Sequence, residues 1–204
     1  MTEIKKLLVT AGVAALVALP AASLADGAAI AKEKCAACHG DDGNSSDPKV
    51  PNIAGFSAVT IVDMLEEYRS GDRKGDKYKP KNGDETDMNA VAKDLNEADS
   101  EAVAAYYAGK AFKKAPNKFD AKLAKKGAKI HDKRCEKCHS EGGSLADDDA
   151  AILAGQWKEY LQHQFAKLSA DERPMPKKMK KKFKKLNDDQ KAALIEFYAS
   201  GGGK

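Results

Sequence analysis

No segment of the 204-residue chain alternates apolar and polar side chains over the length of a strand, so nothing in it predicts a half-buried sheet. Past the first 25 residues, no apolar run approaches the ~20 residues that a membrane-spanning helix needs. There is no G-x-G-x-x-G turn and hence no dinucleotide-binding fingerprint. No nucleophile–base constellation stands out either. Cysteine and histidine are scarce, at four residues each. These absences leave an all-α chain whose chemistry rests on very few side chains.

The amino terminus belongs to targeting. Lys5 and Lys6 precede an apolar run of 13 residues, Leu7 to Leu19, and Ser23-Leu24-Ala25 offers small residues where a signal peptidase reads. This pattern predicts a secretory leader over residues 1–25, cleaved after Ala25. The mature chain is then exported and free of membrane-spanning segments. About 179 residues remain, enough for one large domain or two small ones. Small domains bury little core and usually need a disulfide, metal or cofactor staple.

Four cysteines in an exported chain ordinarily suggest two disulfides. Their spacing argues otherwise. They stand as "CAACH" (Cys35, Cys38, His39) and "CEKCH" (Cys135, Cys138, His139), with none left over. The chain also matches itself at a shift of 100 residues. Gly27 falls on Gly127, Ile30 on Ile130, each CxxCH on the other, "IAG" (Ile53 to Gly55) on "LAG" (Leu153 to Gly155), and Arg73 on Arg173. Beyond Arg73 the register slips by nine, and Met88, Leu95, Asn96 and Tyr107 then fall on Met179, Leu186, Asn187 and Tyr198. The first copy therefore carries nine extra residues of Gly/Lys/Asp-rich loop. Two copies of one unit follow. They divide near Lys113–Lys122, where Pro116 and Asn117 break a helical pattern. The expected domains span 26–114 and 115–204.

Each copy predicts three main helices. One leads into CxxCH. A second follows "AG", with Val59, Val62, Leu65 and Tyr68 at helical spacing. The last has Asn96 as N-cap and Gly109 as stop in the first copy. Gly27 and Gly127, eight residues before each first cysteine, allow close approach of another helix backbone. The aromatic pairs Tyr106–Tyr107 and Phe197–Tyr198 mark that second helix.

CxxCH is the attachment sequence of c-type haem. Each thiol adds to a haem vinyl group, and the adjoining histidine supplies an axial nitrogen to the iron. A zinc site pairs CxxC elements at closer spacing, and a redox CxxC gives no reason for the repeated histidine. Two covalently bound haem c groups are thus expected, on Cys35, Cys38 and His39 and on Cys135, Cys138 and His139. Methionine often supplies the sixth ligand. Met88 is the candidate in copy one, ahead of Met64, which falls inside a helix pattern. Met179 is its repeat partner in copy two, with Met175, between Pro174 and Pro176, as a rival. Seven of the nine residues from Lys177 to Lys185 are lysine. They form a solvated face beside a haem pocket or a docking patch for an acidic partner. Arg73 and Arg173 are either surface charges or partners for haem propionates. His131 and His163 lack repeat partners and are not expected to be ligands; Trp157 is expected to pack.

Each half resembles a class I cytochrome c, and the whole mature chain resembles the dihaem cytochromes of the c4 type. "GAKIHDKRCEKCHSEGG", "ILAGQWKEYLQ" and "ERPMPKKM" are similar to the cytochrome subunit of flavocytochrome c sulfide dehydrogenase, over roughly residues 127 to 180. That resemblance implies a periplasmic electron-transfer subunit, not an enzyme by itself. FAD would sit on a separate sulfide dehydrogenase subunit in a heterodimer, and electrons would pass to a soluble acceptor such as a small cytochrome. No nucleic-acid partner is implied. A free c4-type carrier to a terminal oxidase is the alternative. A dihaem peroxidase needs an open iron site, which methionine on both irons would deny. Class I cytochromes often place a proline near "NIAG" whose carbonyl orients the axial histidine. Copy one has Pro51; copy two has Ala151, which keeps a carbonyl but puts local rigidity in doubt. Charge divides unequally. Residues 26–114 carry 13 basic and 17 acidic side chains, a net of −4, and residues 115–204 carry 20 and 13, a net of +7. The asymmetry suggests different docking faces for donor and acceptor, or ordinary variation in solvated surface.

Overall fold

Ten α-helical segments and no strand make up the described residues, 21–202, of a computed structural model of the chain. The expected leader lies, for residues 1–20, outside the described residues. In copy one, α1 (Ala21–Ile30) continues through a π-helical turn, Ala31–Cys35, into the short α2 (Ala36–His39). Then come α3 (Ala58–Ser70), α4 (Met88–Lys93) and α5 (Glu97–Ala108). Copy two runs α6 (Ala121–Arg134), α7 (Ser140–Gly143), a 3₁₀ turn at Ala146–Asp148, α8 (Lys158–Ser169), α9 (Lys177–Phe183) and α10 (Asp188–Ala199). One isolated antiparallel bridge, Tyr78 to Thr86, pins the extra loop of copy one.

The caps expected from sequence form. Asn96 accepts from the Asp99 amide at the start of α5, and Gly109 follows its end. Asn187 and Gln190 build a reciprocal capping box on α10. Each copy packs its first helix against its last, α1 on α5 and α6 on α10. The glycines make this possible. A methyl on Gly27 would overlap the Ala102 carbonyl oxygen, and one on Gly127 the Ala193 carbonyl oxygen, with Phe197 Cβ at 2.7 Å. One part of the periodicity is corrected: Val59 of α3 is 53% exposed, while Ile61 and Leu65, four residues apart, enter the core. Val59 stands in the first turn of α3, at the edge of the stripe.

Two cores result. Phe56, Ile61, Leu65, Leu95, Val103 and Tyr107 form the first; Leu161, Leu168, Phe183, Leu194, Phe197 and Tyr198 form the second. Ile152 of copy two belongs to the first cluster, so apolar packing crosses the seam. Polar contacts cross it too. The Gln156 side chain donates to Asn52 O (2.8 Å) and accepts from Asn52 N (2.9 Å), with both residues at most 2% exposed. Trp157, expected only to pack, also donates from Nε1 to Ser45 O (3.1 Å).

Candidate haem sites

A cleft of ≈ 680 Å³ opens beside the first CxxCH, within the size range of cofactor pockets. Cys35, Cys38, His39, Met64 and Met88 line it, together with apolar side chains of α3, α4 and α5. The π-helical turn delivers Cys35 to this wall; such insertions recur at functional sites. Asp87 caps α4 by accepting from the Ala90 amide, which fixes the start of the helix at Met88. His39 Nδ1–H donates to the Pro51 carbonyl at 2.9 Å. That bond fixes the tautomer and leaves Nε2 with its lone pair free for a metal. Burial is the main effect that lowers the pKa of His39, keeping the ring neutral as a ligand must be. Burial also pushes the Cys35 thiol up to about 11. All four cysteines are free.

The second site has the same parts in a different setting. Cys135 follows α6, with its amide donating to His131 O at 2.7 Å. Cys135, Met175 and Met179 all pack against the second core. Met179 is the third residue of α9, whereas Met88 opens α4. His139 Nδ1 is buried without a hydrogen-bond partner, so the carbonyl bond that orients His39 has no counterpart. The chain beyond His139 explains the difference. Glu141 and Gly142 take positive φ (53° and 72°), and Asp148 accepts from the Ser140 amide and hydroxyl. This segment is held by its own contacts rather than by the histidine.

The two arginines are not simple surface charges. Arg73 is 3% exposed and lines the first cleft. Its guanidinium lies 4.6 Å from the centre of the Tyr68 ring and donates to Gln164 Oε1 (3.3 Å) and Tyr160 OH (3.4 Å) of copy two. Arg173 donates to the same Gln164 oxygen at 2.8 Å. Burial, and then the charge of Arg73, push the Arg173 pKa down. Arg73 Nη1 is buried and makes no hydrogen bond; its nearest carboxylate, Glu67, is 3.9 Å away. A buried and a half-buried cation sharing one amide oxygen are short of anionic partners.

His131 and His163 are engaged elsewhere. His131 is fully buried, with Nε2 bonded to Glu136 (2.6 Å) and Nδ1 to the Tyr198 hydroxyl (3.0 Å). His163 binds Asp76 at 2.8 Å, and Lys167 binds the same carboxylate at 2.7 Å, so copy one's extra loop is tied to α8. Asn52, Gln156, Tyr160 and Gln164 were not singled out by the sequence analysis. A signal was present for three of them: Asn52, Gln156 and Gln164 stand where the other copy has an apolar residue (Ile152, Phe56, Met64).

Residues 24–108 match the family described as "Cytochrome c", and residues 122–197 the family described as "Cytochrome C oxidase, cbb3-type, subunit III". The "Thiosulfate dehydrogenase electron acceptor" of Stutzerimonas stutzeri (strain A1501) is 30% identical over 95% of this chain and 94% of its own. This chain belongs to the dihaem cytochrome c4-like family of class I cytochromes c. The solved structure of reduced cytochrome c4 from Pseudomonas stutzeri superposes with a TM-score of 0.68 at 25% identity, over 87% of this chain and 97% of that one. Thiosulfate dehydrogenase (TsdBA) from Marichromatium purpuratum gives the same TM-score at 26% identity, over 86% of this chain and 40% of that longer polypeptide. The cytochrome is thus an electron-transfer protein, and its two domains imply two covalently bound haem c groups. The residues of the first site fit such a group: a cleft of the right size, a neutral histidine with Nε2 free, and a buried arginine nitrogen without a hydrogen bond, suited to a carboxylate. Among the described residues, no helix is long and apolar enough to cross a membrane.

Proposed function

We propose that this cytochrome is a periplasmic carrier that accepts electrons from a separate sulfur-compound dehydrogenase and passes them on one at a time. Cys35 and Cys38 would hold one haem, with His39 and Met88 as the candidate iron ligands. Cys135 and Cys138 would hold the other, with His139 and Met179. Bound haem c supplies the one-electron iron chemistry. The chain's own residues attach it, present neutral imidazole and thioether donors, exclude water with apolar walls, and neutralise its carboxylates with Arg73 and Arg173. The observation that carries the reading is the shared wall. Tyr160, His163 and Gln164 of copy two line the cleft of copy one, so the wall of the first site is built in part by the second domain.

The name of the Stutzerimonas stutzeri relative favours thiosulfate dehydrogenase as the donor. A second reading has a specific motive: Gly127 to Met179 carries the three segments similar to the flavocytochrome c cytochrome subunit, which would make the donor a FAD-containing sulfide dehydrogenase subunit. One experiment separates them. The mature protein is purified from its native periplasm under mild conditions, and haem absorption is followed on adding thiosulfate with thiosulfate dehydrogenase, or sulfide alone. Reduction of the haem by sulfide, with a co-purifying flavin subunit, selects the flavocytochrome. Reduction only through thiosulfate dehydrogenase, with no bound flavin, selects the free carrier. Reduction by neither system sinks both.

A further inference from the structure

One buried titratable group has no part in attaching or ligating a haem. His131 of α6 is fully buried. Its Nε2 meets the Glu136 carboxylate at 2.6 Å, and its Nδ1 meets the Tyr198 hydroxyl of α10 at 3.0 Å. An ionised carboxylate only accepts, so Nε2 carries a hydrogen. Burial holds the Tyr198 hydroxyl well above its ordinary pKa, so it keeps an O–H to donate. Two arrangements of the ring follow. A neutral His131 accepts the Tyr198 hydrogen at Nδ1. A His131 with a second proton donates from Nδ1 to the Tyr198 oxygen, and the freed O–H turns to the neighbouring Cys135 sulfur. That second proton is held in an ion pair with Glu136, which offsets the cost of a buried charge. Solvent reaches the pair at Glu136, whose side chain is 32% exposed.

Copy one supplies the control. The repeat places Ala31 against His131 and Ala36 against Glu136, while Tyr107 keeps the tyrosine. Ala31 is 1% exposed, and the Tyr107 hydroxyl is buried without a hydrogen bond. The same tyrosine thus stands in both cores, and the fold tolerates it without a histidine. What distinguishes His131 is its surroundings. The titratable groups brought to it are Cys135 and Glu136 after α6, Tyr198 from α10 and, at electrostatic range, His139 of the second CxxCH. After burial, the charge of His131 is the next cause that lowers the His139 pKa. A proton on His131 is therefore felt at the second site, whereas copy one puts alanine there.

We propose that His131 takes up a proton when the second haem gains an electron and releases it when the electron leaves, a coupling that the first haem lacks. The proposal rests on the dihaem-carrier reading above. The step balances: the dehydrogenase donor supplies one electron, solvent supplies one proton, and one N–H bond forms at His131 Nδ1. Positive charge at His131 favours the reduced state, and reduction raises the affinity of His131 for its proton by the same factor. Coupling between two sites is typically ~5–150-fold. The lower end, about fivefold, is expected for groups that act through the protein rather than by contact. At ~59 mV per tenfold, that lowers the second haem's midpoint by about 40 mV as pH rises through the titration.

Redox titrations of the holoprotein between about pH 5 and about pH 8, the range in which histidine titrates, measure the fall. Removing the candidate ligand in Met88→Ala moves the first haem's midpoint and so identifies it. His131→Gln, which forms hydrogen bonds but does not titrate, should flatten the fall of the second midpoint with both haems still bound. NMR of the His131 ring in fully oxidised and fully reduced wild-type protein is the second readout. Its proton affinity should be about fivefold higher in the reduced protein. This measurement needs no variant, so a His131→Gln protein that fails to fold leaves the test intact. Equal His131 affinity in the two oxidation states overturns the proposal. So does a pH dependence that survives in His131→Gln, which would assign it to the haem carboxylates. Haem content is measured first. Wild-type protein without two covalent haems refutes the carrier reading itself, whereas two covalent haems with a pH-independent second midpoint refute only the proton coupling.

Discussion

Gly127→Ala sets two general rules against each other. Gly127 lies inside α6, an α-helix spanning Ala121–Arg134. Helix propensity alone predicts that alanine stabilises such a position by about 1 kcal/mol. The close approach predicts the opposite. The new methyl would overlap the Ala193 carbonyl oxygen and lie 2.7 Å from its carbonyl carbon. Backbone atoms of α10 cannot turn aside as a side chain can, so the helices must part by about 1 Å. A gap of that size forfeits a quarter to a half of each dispersion well. Leu194 and Phe197 are at most 2% exposed and share a cluster with Ala128 and Ile130 of α6. With some 40 contacts of ~0.15 kcal/mol per side chain, a quarter lost from both comes to about 3 kcal/mol. The propensity gain offsets about 1, leaving a destabilisation of about 2 kcal/mol, within the usual range for overpacking. For a domain of roughly 90 residues that lowers the melting temperature by about 8–16 °C. Thermal unfolding of the holoprotein, followed by far-UV circular dichroism, measures it. Gly109→Ala is the control: its φ is −78° and its nearest neighbouring atom is 3.6 Å from the added methyl, so it should change stability by no more than about 0.5 kcal/mol. A Gly127→Ala protein that melts at or above the wild-type temperature would refute the account of how α6 meets α10.

Three further outcomes are expected. Gln156→Leu strands the Asn52 amide and carbonyl inside the seam, at about 1–3 kcal/mol each; denaturant unfolding should show a loss of roughly 2–5 kcal/mol, and a loss under 0.5 would mean that water replaces the amide. Burial pushes the Asp76 carboxyl up, but hydrogen bonds from Lys167 and His163 outweigh it and hold the group below the ordinary carboxylate range. A depressed folded-state pKa gives stability that is complete above the unfolded value, ~3.9, and vanishes as pH falls through the folded one. Denaturation midpoints of wild type and Asp76→Asn should therefore differ at neutral pH, and the gap should begin to close only below about pH 4 and narrow steadily as pH falls further; a gap independent of pH contradicts the clamp. Finally, Met179→Ala should abolish the absorption band of methionine-ligated ferric haem in copy two while Met175→Ala preserves it. The reverse pattern moves the ligand to Met175.

What was legible in the sequence was what the repeat states twice. Gly27 and Gly127, the two CxxCH motifs, and the N-caps Asn96 and Asn187 answer local demands of one domain, so both copies carry them at matched spacing. The seam between domains is made where the copies disagree, and a search for agreement passes over it. Asn52 and Gln156 bond each other because neither keeps its counterpart's apolar side chain; Gln164 receives two arginines where copy one has Met64. Arg73 shows the limit of the repeat in the other direction. It matches Arg173 in sequence, which fits a surface charge equally well, and only the fold brings both onto one amide oxygen. His139 completes the pattern. Its motif is identical to that of His39, yet the residue 12 positions on differs, Ala151 for Pro51, and so does the path of the chain between. A doubled motif thus specifies two equivalent sites, and the departures from the repeat make them unequal. The inequality is concrete: His39 Nδ1 is held by the Pro51 carbonyl, whereas His139 Nδ1 is buried without a hydrogen-bond partner.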